Sequence, residues 1–277
     1  MSEHIKGKSI IVTGAASGFG MLVSQKAAEM GAKVTCADID SDGLGKVVSE
    51  ITDKGFTAQA VVADVRDAQQ IADLGKAAIE KYDAIDVMVN NAGTMPLAFF
   101  ADHKDALEKW HQCIDINFKG VVNGIAAVHD QMIKQGRGQV INVSSIYGNA
   151  PVSGSGIYSA TKAAVNFLSE TLRVESNGKI KVTTIRPTGV NTNLAGTIVN
   201  PAASVGIMGH FAAEELPKMV EQGEKYLANL NADQDSIECR MLDPEQIANN
   251  IIYAINQPWG VSISDITIRC SGEKMVL

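Results

Sequence analysis

Long apolar runs are missing from this chain: nowhere in its 277 residues do about 18 apolar residues follow one another without a charge, which excludes a helical membrane span. A basic excess is missing too. Lys and Arg number 24 against 31 Asp and Glu, for a net charge of −7 with no Lys/Arg stripe, so nucleic acid and anionic membrane surfaces are not expected partners. Cysteine is scarce and scattered. Cys36, Cys113, Cys239 and Cys270 show no C-x-x-C spacing and the five histidines form no metal-binding set, which excludes a disulfide framework and predicts no metal. Residues 1–9 lack the apolar core of a signal peptide. A soluble, cytoplasmic protein is expected.

What is present is enough apolar residue, 45%, to bury a large core, and a chain of this length is expected to be one domain spanning 1–277. Short β-rich runs alternate with helical patterns, which predicts an α/β fold with a parallel sheet covered by helices on both faces. Strands are predicted at 9–13, 33–37, 58–63, 86–90, 139–144, 181–185 and 262–268, and the longest helix at 106–135, stopped by Gly136 and Gly138. One stretch breaks the rhythm. Residues 193–241 form an insertion between the last two strands, punctuated by Gly and Pro and continuing as an amphipathic run over 210–230.

The chemistry concentrates in Tyr158-Ser-Ala-Thr-Lys162. Four residues make one helical turn, so phenol and ammonium share a face, and a neighbouring cation is expected to lower the phenol's pKa toward a usable acid/base. Ser145 precedes Tyr158 by thirteen residues, just after the apolar run 139–143. Near the start, the strand-like 9–13 leads into Gly14-Ala-Ala-Ser17-Gly18-Phe19-Gly20 and then a helical pattern. A strand, a glycine turn and a helix N-terminus together make an anion site. The spacing is GxxxGxG, not the commoner GxGxxG.

Taken together, these motifs resemble the classical short-chain dehydrogenases/reductases over nearly the whole chain. Thr13-Gly14-xxx-Gly18-x-Gly20 is similar to that family's cofactor turn, Asp64-Val65 to its adenine pocket, and Asn90-Asn91-Ala92-Gly93 to the segment beside the cofactor; Asn117, Ser145, Tyr158 and Lys162 match its catalytic set. The resemblance implies a Rossmann-type, doubly wound fold with a seven-stranded parallel sheet and a nicotinamide cofactor. It also implies roles. Tyr158 would be the acid/base, Lys162 would lower its pKa and hold the nicotinamide ribose, Ser145 would hold the substrate oxygen, and Asn117 would support a proton-carrying water. The family commonly forms tetramers through its long helices, here 106–135 and 158–176, so a homotetramer is expected.

Asp38 follows Gly20 by eighteen residues, at the end of the second strand, where an acid accepts from ribose hydroxyls and repels a 2′-phosphate. Ala15, Ala16, Ser17 and Ile39 supply no cation there, so NAD is favoured over NADP. After the sixth strand the chain departs from the family: in Pro187-Thr188-Gly189-Val190-Asn191-Thr192 the glycine is displaced by one. Thr192 keeps the position that meets the carboxamide, and Pro187, Gly189 and Val190 are expected to border the cofactor, while the backbone contacts of residues 188–190 are open. The expected substrate pocket draws on Met95, Pro96, Leu97, Ile146, Tyr147, Val152, Ser153 and the insertion from Leu194 through Met208 to Phe211. This lining is mainly apolar and suits a compact secondary alcohol or ketone, cyclic substrates included. The insertion is expected to act as a lid. The alternative is a dinucleotide-sensing regulator that keeps the fold without the chemistry, but a sensor has no need of the acid/base residues.

Overall fold

Alternate residues of the central strands enter different cores, because successive side chains of a strand point to opposite faces. Ile10, Val12, Val34, Val87, Val89, Ile141, Val143 and Ile185 pack into one cluster, and Ile11, Met88, Val140 and Val182 into another. Strands buried on both faces read as continuous apolar runs, which is why 9–13 and 139–143 stand out in the sequence. The computed structural model describes residues 4–222 and 233–277.

It contains a seven-stranded sheet: β1 (Ser9–Thr13), β2 (Lys33–Asp38), β3 (Thr57–Val62), β4 (Val87–Asn90), β5 (Gly138–Val143), β6 (Ile180–Pro187) and β7 (Asp265–Ile268). The order is β3-β2-β1-β4-β5-β6-β7 with every pair parallel. Helices α1 (Gly18–Glu29), α2 (Ser41–Asp53) and α8 (Pro244–Ile255) cover the first core; α3 (Ala68–Tyr82), α5 (Gly120–Gln135) and α6 (Gly156–Glu175) cover the second. This is the doubly wound, Rossmann-type architecture. Its chain order reverses at β1, which lies between β2 and β4, and the crevice beyond the strand ends there is where such sheets bind ligands.

The predicted helix over 106–135 is three pieces. Helix α4 (His103–Ile114) passes through a π turn at Asp115–Lys119 into α5, which ends at Gly136 in the left-handed region with φ 74°. The last strand is shorter than expected, Asp265–Ile268, and β6 runs on to Pro187. In the insertion, 3₁₀ turns occupy Asn193–Thr197 and Pro201–Phe211, and α7 spans Ala212–Gln222; the rest of the amphipathic run, 223–230, lies outside the described residues.

Two polar devices are buried inside this apolar frame. At the amino edge of the sheet, Lys8 donates to Ile255 O (2.8 Å), Gln139 to Ala254 O (3.1 Å) and Lys181 to Val261 O (3.0 Å). Lys8 and Gln139 satisfy carbonyls left over where α8 ends, the Lys8 charge complementing its dipole, while Lys181 holds the loop that follows. Nearer the carboxyl edge, Asn90 Nδ2 donates to Asn142 Oδ1 (2.8 Å), Asn142 Nδ2 to Ser169 Oγ (2.9 Å), and Ser169 Oγ to Val165 O (2.7 Å). The second chain ties β4 and β5 to α6. Replacing Asn142 with Leu strands the Asn90 amide in the core, and unfolding in urea should show a loss of about 1–3 kcal/mol.

Candidate active site

The glycine turn owes its shape to backbone closeness. Gly14 and Gly18 have φ of 66° and 53°, and a Cβ on Gly20 would stand 2.1 Å from Gly14 O, so no other residue fits there. Asn91 locks the turn from β4 by donating to Thr13 O (2.9 Å) and Gly14 O (3.2 Å). Ser17 caps α1 in an extended conformation with no side-chain hydrogen bond, which leaves the first-turn amides available, and space is open around Gly18. Phe19 packs on the first core. The turn therefore fits an anionic group such as a dinucleotide pyrophosphate.

Flanking this turn are two acids. Asp38 accepts from Ala16 N (3.0 Å) and Asp40 N (3.1 Å), so its carboxylate joins β2 to the glycine turn, and Ile39 beside it is 66% exposed. Asp64, expected in the adenine pocket, is paired with a neighbouring arginine. Arg66 grips it with Nε (2.9 Å) and Nη2 (2.6 Å), and that hydrogen bonding holds its carboxyl below the usual range. Val65 donates nothing by its side chain but fills the space over Gly120, and its carbonyl accepts from Asn123 (2.8 Å).

The four residues of the expected catalytic set converge at the carboxyl ends of β4 and β5. Ser145 stands two residues past the end of β5 and its hydroxyl accepts from Tyr147 N (3.3 Å). Tyr158 and Lys162 stand one turn apart on α6, only 4% and 5% exposed, with Lys162 Nζ 5.7 Å from the Tyr158 ring centre. The ammonium donates to Val143 O at 2.9 Å. Burial pulls Lys162 down to about 8, and burial pushes Tyr158 well above its ordinary value; the lowering influence on the phenol is its hydrogen bond with Ser145. The lowering of the phenol's pKa by Lys162 expected from the sequence is thus not among the influences acting on Tyr158 in this structure, where burial dominates.

Asn117 sits in the π turn and is fully buried. Its Oδ1 accepts from Thr94 N (2.9 Å) and its Nδ2 donates to Thr94 O (2.8 Å), pinning the loop after Ala92 and Gly93. A Cβ on Gly93 would be 3.8 Å from Lys162 Nζ, so this loop borders the ammonium. Cys113 and Thr161, which the sequence gave no reason to single out, contact the same amide at 3.3 and 3.4 Å.

Around Tyr158 the structure gathers an apolar cluster of Leu97, Ile146, Tyr147 and Ile207, with Met95 and Met208 against it; the Tyr147 ring meets Tyr158 edge-on at 5.5 Å. Phe211 does not join it. It lies on His210 (4.0 Å) under the Lys274 ammonium (4.8 Å). Leu194 is half-buried, its N–H donating to Thr192 Oγ1 (3.4 Å). Met275 and Leu277, which no motif marks, pack on the same cluster. Past Pro187, the displaced glycine makes its backbone bonds internally: Gly189 O accepts from Leu242 N (2.9 Å) and Asn191 N donates to Leu242 O (3.1 Å), with Val190 bridged to Leu242. The Thr188 hydroxyl is buried without a partner.

The buried lysines give stability a definite pH slope. Lys8 and Lys162 titrate near 8 in the folded chain against an ordinary 10.5, so between those values the unfolded chain binds more protons and stability rises with pH. Cys36 and Cys113, pushed from 9.0 to about 11 by burial, act oppositely above pH 9. Thermal melts should show a midpoint climbing from pH 7.5 to about 9 and then falling, with a shallower climb in Lys8→Met.

Comparison with known proteins agrees with this architecture. Residues 8–202 match the short chain dehydrogenase family. An uncharacterized oxidoreductase of Listeria monocytogenes is 36% identical over 269 residues, 95% of this chain and 96% of that protein. A glycine betaine reductase of Emericella nidulans is 31% identical over 96% of this chain, which spans 19% of that longer protein. Among solved structures, an alcohol dehydrogenase from Thermococcus sibiricus complexed with 5-hydroxy-NADP superposes with a TM-score of 0.76 at 21% identity, covering 96% of this chain and 97% of its own. A 7α-hydroxysteroid dehydrogenase complexed with NADH and 7-oxo glycochenodeoxycholic acid gives 0.78 at 24% identity, covering 98% and 96%. At those identities the likeness is one of fold. The chain is an oxidoreductase that belongs to the short-chain dehydrogenase family.

Proposed function

We propose that this protein interconverts a secondary alcohol and a ketone with NAD, using Tyr158 as acid and base. The observation that carries this reading is the buried turn of α6, where Tyr158 shares a hydrogen bond with Ser145 and Lys162 stands within 5.7 Å of its ring. Two ionisable groups withdrawn from water at such cost serve no need of a sensor.

A bound nicotinamide would donate or accept the hydride. The chain's own residues handle the oxygen and its proton. In ketone reduction, Tyr158 passes its phenolic proton to the oxygen that gains charge as hydride reaches carbon, and Ser145 hydrogen-bonds the same oxygen; in alcohol oxidation the proton moves back. Burial keeps the phenol protonated, the form reduction needs. Lys162, cationic below about pH 8, steadies the phenolate left behind and would return a proton to it, and the neutral amine would then regain a proton from solvent through a water supported by Asn117. Gly14, Ser17, Gly18, Gly20, Asn91, Ala92 and Gly93 would cradle the dinucleotide. Thr192 and the unpartnered Thr188 hydroxyl would face its nicotinamide end.

The apolar cluster around Tyr158 supports a compact, neutral substrate. Residues 193–211 would cover it as a lid; their present anchoring is Met95 N to Thr197 Oγ1 (2.8 Å), Val199 N to Leu97 O (3.1 Å) and Asn200 Nδ2 to Asp102 (2.8 Å). Exposed Leu107 (51%), Phe167 (78%) and Val174 (67%) on α4 and α6 favour a homo-oligomer, read here as a tetramer. Four free, buried thiols suit the reducing cytoplasm.

Tyr158→Phe keeps the ring and removes the transferable proton, so kcat should fall by about a thousandfold or more while NAD affinity, read by fluorescence titration, stays within a few-fold. Wild-type turnover in that variant would refute the mechanism. In the cofactor pocket, Asp38→Ser with Ile39→Arg removes a carboxylate and adds a guanidinium, and should raise the NADP-to-NAD ratio of kcat/KM by about a hundredfold. A wild type already favouring NADP would overturn the cofactor assignment.

A further inference from the structure

The segment after β7 returns across the insertion. Gly272 N donates to Cys239 O (2.9 Å), Val276 N donates to Ile207 O (3.1 Å), and Arg269 pairs with Glu273 and donates to Leu277 O. Gly209, at φ 52°, leaves space for the Val276 side chain: a Cβ there would be 2.8 Å from it. These contacts hold the strap in register along the 3₁₀ segment Pro201–Phe211, and they direct Met275 and Leu277 into the apolar cluster around Tyr158.

Met275 touches the site from a second side. A Cβ added to Gly189 would lie 3.0 Å from Met275 Cε, so the glycine displaced from its expected position leaves the room that the thioether fills. The methionine therefore spans the gap between the loop after β6, on the nicotinamide side, and the cluster containing Tyr158. We propose that Met275 is a specificity-determining residue: it occupies the volume into which a substituent of the ketone would extend, and restricts the enzyme to compact apolar ketones. A Met side chain is flexible and apolar, so it limits size without demanding a polar partner. The proposal rests on the reading of Tyr158 as the proton donor.

The test compares cyclohexanone with 4-tert-butylcyclohexanone, as the ratio of their kcat/KM values, in the full-length protein. Met275→Ala should raise the relative rate on the bulky ketone about tenfold, the discrimination a few methylenes carry in an apolar pocket. Gly189→Ala, which drives the thioether toward the pocket, should lower it, and Met275→Ala should cancel that effect in the double variant. A ratio between two ketones removes any change in cofactor binding, and a merely structural role for Met275 would leave it unmoved. If Met275→Ala does not fold, Gly189→Ala decides alone. Unchanged ratios in a wild type that reduces cyclohexanone, with Tyr158→Phe inactive, would overturn the inference and leave the catalytic reading intact. A wild type that reduces neither ketone would overturn both.

Discussion

Taking a lysine ammonium out of water costs several kcal/mol unless other groups replace its hydration, and Lys162 is buried to 5% exposure. Its fixed partner is Val143 O, the last carbonyl of β5. That bond requires α6 to lie at one height along the sheet. The buried Asn90, Asn142 and Ser169 chain sets this height, since each amide has a single satisfied arrangement between β4, β5 and α6. Tyr158, one turn earlier, is then carried to Ser145 without further adjustment.

The same logic of close approach governs the neighbouring turn. Gly14 and Gly20 allow backbone contact no side chain would permit, and Asn91 bonds the result to the end of β4. A glycine turn on β1 and the Tyr158–Lys162 turn on α6 are thus two consequences of one parallel sheet whose carboxyl ends meet at a crevice. The remaining wall comes from elements of no regular period: the loop after β4, the 3₁₀ insertion and the strap after β7, joined by Val199, Asn200 and Val276 amides.

Most of the sheet could be read from the sequence because strands buried on both faces leave uninterrupted apolar runs, and β1 is found at the predicted Ser9–Thr13. That Tyr158 and Lys162 share a helix face was legible for a similar reason, since four-residue spacing has a fixed meaning in a helix. The π turn carrying Asn117 had no such signature: one extra residue in a helical turn leaves the hydrophobic period nearly unchanged. Nor could spacing show that Asp64 would be clasped by Arg66, because that choice depends on how a surface arginine folds back.

Local pattern by itself showed the alternation of strands and helices, the glycine turn and the one-turn spacing of Tyr158 and Lys162, and the family resemblance added the reading of Ser145 and Asn117. Tertiary structure decided the rest. The balance of protonation at Tyr158 depends on its burial, and burial is a property of the whole packed site. The placement of Met275 against Gly189 joins residues 86 positions apart in sequence (275 − 189), a contact that exists only once β6 and β7 are paired and the strap has folded back over them.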